Sequence, residues 1–410
     1  MRYFISAAEE SGEIYGARLV KEIKAIDADA EFEGVGGDRM KAAGVKILYH
    51  SKDLAAIGLI DILKKIFFFK KVLGDIGNRL KSARFDAVIV IDAPELNFRV
   101  GKMAHKAGIP VFYYVCPQLW AWRSYRVNSV KKWVDTMLVI FPFEEAFYRN
   151  RGVNVKFIGH PLLDEISLDF NRESVRNDLM PPNTRKLVGL LPGSRNSEIR
   201  SILVPLIETA DIIHVKRPDI GFAVPVAPHI SRHAILEVAG GREYIKIING
   251  GSHKVMAGSD FLITKSGTST LEAAIFGIPM IIVYRSSFLS YWLPRILANV
   301  NFAGLPNLIA GREIATEYLQ GSFKPEAVAR EALDILSNQI RLEEKGKEMN
   351  MVRKSLGSSG AAERAAEYII KKLGEILIRK EEDGSDELEN LGMIDKIDTS
   401  GKSGDIELID

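Results

Sequence analysis

The sequence has almost no cysteine, no long apolar run and no charged-then-apolar leader at its start. A single cysteine, Cys116, cannot close a disulfide within the chain, and without a leader we expect a reducing, cytoplasmic setting. The longest apolar runs, such as 87–91, are far shorter than the roughly 20 residues that cross a bilayer. We therefore predict no membrane-spanning helix.

Motifs for cofactors and metals are also scarce. The first turn after a predicted strand, 6–13, lacks the spaced glycines of a dinucleotide fingerprint, which argues against NAD. The acidic triplet 27–29 follows a predicted helix, so it should lie at the opposite end of the sheet from a ligand cleft. The seven histidines show no metal-ligand spacing. The sequence thus predicts neither a metal nor a cofactor.

Charge is distributed unevenly along the chain. Residues 381–410 carry eleven acidic side chains against two lysines, whereas the remaining residues sum to +11. The acidic tail is rich in glycine, serine and aspartate, and we predict that it is disordered. The basic body suits anionic partners, namely phosphate groups, acidic lipid surfaces or nucleic acid.

Short β-branched runs alternate with amphipathic stretches, which indicates parallel, buried strands. A polar, proline-bearing stretch after Gly159-His160-Pro161 divides this pattern into two series. Two consecutive doubly wound, Rossmann-like α/β domains are expected, with a ligand in the cleft between them. The predicted boundaries are 1–168 for the first domain, 169–185 for a linker, 186–338 for the second domain, 339–380 for closing helices that pack on the first domain or on a partner chain, and 381–410 for the tail.

Acidic and hydroxyl side chains follow two predicted strands of the first domain. Asp92 comes directly after the apolar run 87–91, where a partly desolvated carboxylate can accept a proton from a substrate hydroxyl. Glu9 or Ser11, after the first strand, could project into the same cleft. Capping of a helix by Ser11 with Glu13, and bracing of its own loop by Asp92, are the structural alternatives.

Tryptophans and cations meet in the loop after the predicted strand 111–115. Trp122 beside Arg123 could stack on a sugar or grip a phosphate, and core packing of one tryptophan is the alternative. Cys116 has no base beside it in the sequence, so we expect a small buried residue.

Two small-residue turns in the second series predict a nucleotide diphosphate site. Gly193-Ser194-Arg195 follows a predicted strand, and its arginine can hold a diphosphate with a permanently charged, bidentate fork. Ser266-Gly267-Thr268 joins another strand to a helix, whose N-terminal amides suit an anion. Glu272, one turn into that helix, could accept the hydroxyls of a ribose.

The segment 59–71 mixes apolar and basic residues. Exposed aromatic residues among lysines are typical of an interfacial membrane helix or an acyl-chain entrance, and a partly buried surface helix is the alternative. On a helical wheel, one face holds Ile62, Leu63, Ile66, Phe67, Phe69 and Leu73, whereas Phe68 falls among Lys64, Lys65 and Lys71.

These motifs, taken in order, resemble the lipid-A-disaccharide synthases, inverting glycosyltransferases of the two-domain GT-B architecture. The resemblance covers roughly residues 3–320. The chain departs from the family pattern at Ala8 in place of glycine, at Glu13 and Glu95 in place of aspartate, and at Cys116 in place of serine. The matching segments are 6–13, 36–40 with 43–44, 57–59, 92–94, 117–123, 141–144, 159–162, 191–195, 266–272 and 305–307.

The resemblance implies a reaction between two lipids that needs no metal. UDP-2,3-diacylglucosamine donates its sugar to the 6-hydroxyl of 2,3-diacylglucosamine 1-phosphate, which gives a β-1,6 disaccharide and UDP. Asp92 is then the expected general base, with Glu9 as helper or runner-up. The expected nucleotide-binding residues are Gly193, Ser194, Arg195, Ser266, Gly267, Thr268, Glu272 and Asn307, and the expected acceptor or lipid residues are Ser11, Trp122, Arg123, Ile66, Phe67, Phe68 and Phe69.

The resemblance also implies that the first domain faces the acceptor and the anionic inner leaflet of the inner membrane, as a peripheral protein. It implies no nucleic-acid partner and leaves a homodimer open. Another GT-B enzyme acting on a UDP-sugar, either a lipid-linked N-acetylglucosaminyltransferase or a UDP-sugar epimerase, would share the nucleotide half. A non-catalytic nucleotide-sugar-binding protein at the membrane is the alternative without chemistry.

Overall fold

The computed structural model describes residues 1–56, 62–121, 124–285 and 301–390. Strands and helices alternate from the start, as the buried apolar runs predicted. The first strands are β1 (Arg2–Ala7), β2 (Glu31–Gly36), β3 (Val45–His50), β4 (Ala87–Ile91), β5 (Val111–Tyr114), β6 (Thr136–Val139) and β7 (Val155–Phe157). The helices among them are α1 (Glu10–Ile26), α2 (Asp38–Ala42), α3 (Ser51–Ala56), α4 (Ile62–Ser82), α5 (Pro94–Lys106), α6 (Val127–Val130), α7 (Pro142–Arg149) and α8 (Leu162–Glu165).

The second part of the chain repeats this alternation. Its strands are β8 (Lys186–Leu191), β9 (Ile220–Val226), β10 (Ile245–Asn249), β11 (Phe261–Lys265), β12 (Met280–Tyr284) and β13 (Glu317–Leu319). Its helices are α9 (Arg172–Leu179), α10 (Asn196–Lys216), α11 (Arg232–Ala239), α12 (Ser252–Gly258), α13 (Thr268–Ile275), α14 (Leu305–Ala310), α15 (Pro325–Ser337), α16 (Gln339–Ser355) and α17 (Ala361–Asn390).

The strands form two parallel sheets. Within the described residues, the first sheet has the order β3-β2-β1-β4-β5-β6-β7 and the second has the order β10-β9-β8-β11-β12-β13. In each sheet the order reverses at one point, between β1 and β4 in the first and between β8 and β11 in the second. Ligands of doubly wound sheets bind beyond the carboxyl ends of the strands at such a switch point. The topology therefore selects the loops after these four strands as candidate site loops.

Apolar layers cover both faces of the first sheet. Helices α4 and α5 contribute buried residues such as Val72 and Val100 to one layer. Helices α1 and α17 contribute Leu19 and Ile369 to the other, which continues without a break to Leu271 on α13 beside the second sheet. Because each such side chain adds about 1.5–3 kcal/mol on burial, this shared layer stabilises the contact between the two sheets.

The chain crosses between the first-sheet and second-sheet parts of the molecule twice, near residues 159–164 and again near residues 356–361, and the two crossings lie side by side. Asp164 accepts hydrogen bonds from the backbone amides of Gly360 and Ala361, at 2.5 and 3.1 Å, and thereby caps the start of α17. Gly159 has φ of +87°, and a Cβ there would lie 3.4 Å from the carbonyl oxygen of Leu356. Helix α16 then packs against α13 and α14, whereas α17 packs against α1 of the same chain.

The last helix is longer than the sequence suggested. Helix α17 continues through 381–390, into the segment for which we expected disorder. The four glutamates and Leu388 of this segment are good helix formers, and a helix already anchored on α1 extends at little cost. The remaining tail, 391–410, lies outside the described residues.

Helix α4 buries part of the predicted face, since Phe69 and Leu73 pack against the first core layer, but Phe67 and Phe68 differ from the prediction. Val72 and Ile76 are fully buried, and Phe68 packs against the same core and against the ring of Tyr49, with 6.3 Å between centroids. Phe67, expected toward the core, is instead 71% exposed. The buried positions late in the helix fix its rotation, so the assignment of Phe68 to the lysine face was wrong. None of the described helices is both long and apolar enough to cross a bilayer.

Candidate active site

Asp92 lies at the carboxyl end of β4, at the switch point of the first sheet, in a strained turn. Asp92 and Ala93 have φ of 47° and 45°, a left-handed conformation that costs a residue other than glycine about 1–2 kcal/mol. Pro94 then begins α5. The turn leaves the Asp92 side chain half-buried at the edge of the sheet.

Buried polar groups hold this turn from below. Asn97 Nδ2 donates to the carbonyl oxygens of Ile91 and Asp92, both at 2.8 Å. Tyr113 Oη donates to the Asp92 carbonyl oxygen at 2.9 Å, and Ser6 Oγ donates to Asn97 Oδ1 at 2.7 Å. Asn97 lies inside α5, and its amide ties the turn to β1 and β4.

The environment of Asp92 suits proton transfer. Burial raises its pKa to about 6, and the negative charge of Glu9 contributes further. Glu9 immediately precedes α1, which starts close to β4, since a Cβ at residue 12 would lie at an ordinary contact distance of 3.6 Å from the Ile91 carbonyl oxygen. A carboxylate with this pKa is mostly ionised at neutral pH and is a stronger base than an ordinary aspartate.

A cleft of about 700 Å³ opens at the switch point of the second sheet. Six of the predicted nucleotide-binding residues line it together, from the turn after β8 and from the first turn of α13. They are Gly193, Ser194, Arg195, Gly267, Thr268 and Glu272, and the other lining residues are 191–192, 198, 225–229, 250–252, 265 and 269.

A carboxylate occupies the turn after β8. Glu198 Oε2 accepts hydrogen bonds from the backbone amides of Ser194 and Arg195, at 3.1 and 3.3 Å. Its Oε1 lies 2.8 Å from Lys265 Nζ. Burial disfavours the charged form of Glu198, but the hydrogen bonds from Lys265 and the two amides outweigh it and lower the pKa. The Arg195 side chain is 80% exposed, so its guanidinium can turn toward a ligand.

Sequence analysis missed three residues of this cleft or its wall. Lys265 is the last residue of β11 and lines the cleft, a position that its place directly before Ser266 could have indicated. His229 Nε2 lies 2.6 Å from the Ser194 carbonyl oxygen. No sequence spacing connects it with that turn.

The third missed residue is a histidine that braces Glu272. His253 Nε2 lies 3.4 Å from Glu272 Oε2, and this hydrogen bond raises the pKa of His253. His253 lies on α12, and only the folding of the second sheet brings α12 beside α13. The pair holds the Glu272 carboxylate at the edge of the cleft.

Two predicted nucleotide-binding residues, Asn307 and Ser266, form hydrogen bonds within the protein. Asn307 is fully buried, with Nδ2 donating to the Ala315 carbonyl oxygen and to Glu317 Oε1, and Oδ1 accepting from the amides of Ile314 and Ala315. All of its hydrogen-bonding capacity is therefore used within one loop. Ser266 similarly donates its hydroxyl to the carbonyl oxygen of residue 303 at 2.8 Å. Neither residue lines the cleft.

The predicted lipid-contacting residues are only partly described. Trp122, Arg123 and the Ile66 side chain lie outside the described residues, as does the family motif at 57–59. Ser11 is exposed in the first turn of α1. Phe69 is half-buried against the first core layer.

Trp120, two residues before Trp122, makes its contacts within the protein. Trp120 Nε1 donates to Glu144 Oε1 at 2.9 Å, and its ring meets the edge of Phe143 with 4.8 Å between centroids. Burial raises the pKa of Glu144 to about 7. Cys116 is buried, as expected. Trp120 is thus partly buried and held by Glu144 and Phe143.

Tyr15 on α1 connects the two halves of the site. Burial raises its pKa to about 12, and the charges of Glu165, Asp92 and Glu272 add to the rise. Asp92 belongs to the first sheet and Glu272 to the second. Tyr15 therefore lies within range of carboxylates from both sheets.

Clustered metal ligands do not occur in the part of the chain that the structure describes, where no group of three or more His, Cys, Asp or Glu could hold an ion. Asp27 of the acidic triplet pairs with the N-terminal amine at 2.9 Å. This pair lies at the amino end of β1, away from both switch points.

Comparison with known proteins gives a consistent family. A sequence model of the lipid-A-disaccharide synthetase family matches residues 3–373. The lipid-A-disaccharide synthase of Nitrosococcus oceani is 38% identical over 370 residues, which cover 90% of this chain and 95% of that protein.

Solved structures share the fold at much lower identity. The glycotransferase of kitacinnamycin superposes with a TM-score of 0.60 at 14% identity, covering 91% of this chain and 98% of the other. A UDP-GlcNAc 2-epimerase from Neisseria meningitidis gives 0.56 at 12% identity, with 90% and 100% covered. Similarity at this level shows the fold alone, and it confirms the predicted pair of Rossmann-like domains in the GT-B arrangement.

Proposed function

Because the chain belongs to the lipid-A-disaccharide synthetase family, we propose that it joins UDP-2,3-diacylglucosamine to 2,3-diacylglucosamine 1-phosphate. It is a GT-B glycosyltransferase of lipid A biosynthesis, an enzyme that uses a UDP-sugar donor and a lipid acceptor. The observation that carries the finer proposal is that a basic carboxylate, Asp92, lies at the switch point of the first sheet while a cleft lined by cationic and N-terminal helix groups lies at the switch point of the second.

Asp92 acts on the acceptor. Its carboxylate takes the proton of the 6-hydroxyl as that oxygen bonds to the anomeric carbon of the donor sugar. The bond between the anomeric carbon and the diphosphate breaks, and its electron pair leaves with UDP. Attack from the face opposite the leaving group inverts the anomeric centre, which gives the β linkage.

The second half of the site stabilises the leaving group. The guanidinium of Arg195 and the first-turn amides of α13, at Gly267 and Thr268, would receive the negative charge that grows on the diphosphate. Glu272, held by His253, would accept the ribose hydroxyls. These groups suit the leaving charge without requiring a metal.

A surface of the first domain suits a membrane. Phe67 is exposed beside Lys70 and Lys71, which are also exposed on α4. Aromatic and basic side chains together attach a protein to anionic lipid. We propose peripheral contact with the anionic inner leaflet through this part of α4, where both lipid substrates would be met.

Acyl dependence tests the substrate proposal. Purified protein should turn over the diacylated donor with the diacylated acceptor and leave UDP-N-acetylglucosamine unused. Turnover of UDP-N-acetylglucosamine with a different lipid would favour the N-acetylglucosaminyltransferase, and interconversion of its sugar would favour the epimerase. Binding of UDP with no turnover of any donor would favour the non-catalytic alternative.

A further inference from the structure

The donors around Glu198 have the composition of a phosphate site. Two successive backbone amides and one ammonium converge on a single carboxylate, and the Arg195 guanidinium lies 4.0 Å from it. Gly193 makes this possible, with φ of +112° and no side chain, since a Cβ there would lie 2.3 Å from Glu198 Oε2. Carboxylate and phosphate oxygens accept the same kinds of hydrogen bond.

Lys265 lies between the two anion-binding turns of the cleft. Its Nζ is 2.8 Å from Glu198 Oε1, on the side of the turn after β8. It is also 3.1 Å from the point where a Cβ of Gly267 would be, at the start of α13. An ammonium has three donors, and the ion pair with Glu198 uses one of them. The residue lines the cleft between the two turns, and its Nζ also lies 5.9 Å from the centroid of the Tyr284 ring.

We propose that Lys265 is a second diphosphate-binding cation beside Arg195, and that Glu198 is the positioning residue that holds its ammonium between the two turns. This inference rests on the proposed function of the cleft as a nucleotide diphosphate site. The side chains of Lys265 and Glu198 are only 16% and 13% exposed. Each charge is therefore stabilised by the other, because an unpaired charge at this depth would be costly. The ion pair thereby keeps Lys265 in place when UDP leaves.

A cycle of variants, read with two ligands, tests this role. Lys265→Met should lower the affinity for UDP about 10- to 100-fold, the size of one charge-assisted hydrogen bond plus an uncompensated carboxylate. The affinity for uridine should not change, because uridine has no phosphate. Glu198→Gln should lower UDP affinity less, and Lys265→Met with Glu198→Gln should stay well below Glu198→Gln alone.

The double variant distinguishes direct contact of Lys265 with the diphosphate from neutralisation of the Glu198 charge by Lys265. If Lys265 only neutralises Glu198, the double variant will bind UDP as well as Glu198→Gln does, and the proposal is overturned. Equal losses for UDP and uridine would also overturn it, since they would mean a general collapse of the cleft. If Lys265→Met alone does not fold, two other variants still test the role of Lys265. Lys265→Arg keeps the charge and should retain UDP affinity. The double variant should still bind UDP more weakly than Glu198→Gln.

Matched controls and the wild-type protein complete the design. Lys246→Met and Glu208→Gln change the same residue types on β10 and α10 away from the cleft, and neither should alter UDP binding. Isothermal titration with UDP and with uridine gives all affinities. Failure of the unmodified protein to bind UDP would contradict the proposed function, whereas UDP binding that is insensitive to Lys265→Met would contradict this inference alone.

Discussion

At the scale of single residues, Asp92 combines burial, a neighbouring negative charge and a fixed backbone. Asp92→Asn keeps the shape of the side chain and removes the proton acceptor. We expect the transfer rate to fall about 10²- to 10⁴-fold while the affinity for UDP stays the same. Steady-state kinetics with a UDP titration checks both. Near-full activity of Asp92→Asn together with a loss in Glu9→Gln would assign the base to Glu9 instead.

The raised pKa of Asp92 also predicts a stability effect. Its pKa is about 6 in the folded protein against 3.8 for the ordinary side chain, so the folded state binds the proton more tightly than the unfolded state. The contribution of Asp92 to stability is therefore present below about pH 4 and is lost as the pH rises through about 6. Asp92→Asn should melt at a higher temperature than the unmodified protein at pH 7.5. Thermal melts across this range that coincide, or an Asp92→Asn protein that melts lower at pH 7.5, would refute the shift.

Asn97 is predicted to act on the rate through Asp92. Asn97→Ala removes the donor to the Asp92 carbonyl oxygen and should lower kcat about 10- to 100-fold with UDP affinity retained. Tyr113→Phe removes only the second donor and should have a smaller effect in the same direction. Stopped-flow turnover and UDP titration measure the two quantities. Parallel losses of kcat and UDP affinity would mean that Asn97 supports the whole fold rather than the turn.

Residues at strand ends could be placed from sequence, and residues in later loops could not. Asp92 and Arg195 follow apolar runs, so position alone puts them at the ligand edge. Asn307 was selected by resemblance, and its amide is used by Ala315 and Glu317, a demand that only the folded loop reveals. Glu198 and Lys265 are 67 positions apart, and no local pattern links them.

At the scale of elements, helix α4 shows how rotation is decided. The window 62–73 contains apolar residues on most sides, so a wheel drawn on it has no unique face. The fully buried Val72, Ile76 and the nearly buried Leu80 continue the face of Phe68 and fix the rotation. Extending the window to the end of the helix would have recovered the correct phase.

The corrected face changes the membrane prediction. Phe67→Ser with Lys70→Glu and Lys71→Glu should reduce binding to anionic vesicles, at about 1 kcal/mol for each lysine, and leave the melting temperature unchanged. Phe68→Ser is the matched control, since it should lower the melting temperature by removing a side chain from the core. Vesicle co-sedimentation with thermal melts distinguishes them. Unchanged co-sedimentation of the triple variant would reject contact through this face.

At the scale of the whole molecule, the strand order fixes where chemistry can occur. The alternation of apolar runs was sufficient to predict two doubly wound domains, because buried parallel strands leave a strong pattern. The crossing at Gly159 and Leu356 depends on contacts between segments about 200 residues apart, and the packing of α17 on α1 joins segments about 350 residues apart. Local sequence carries no signal for such contacts, which is why the partner of the closing helices stayed open.

The central claim is that the two switch points form one site for sugar transfer between lipids. The most direct measurement follows UDP and lipid products together, by mass spectrometry, with UDP-2,3-diacylglucosamine and 2,3-diacylglucosamine 1-phosphate as substrates. We predict equal amounts of UDP and disaccharide 1-phosphate, no UDP when the acceptor is omitted, and neither product with Asp92→Asn over the same time. UDP formed at an undiminished rate without acceptor, or by Asp92→Asn, would contradict this account.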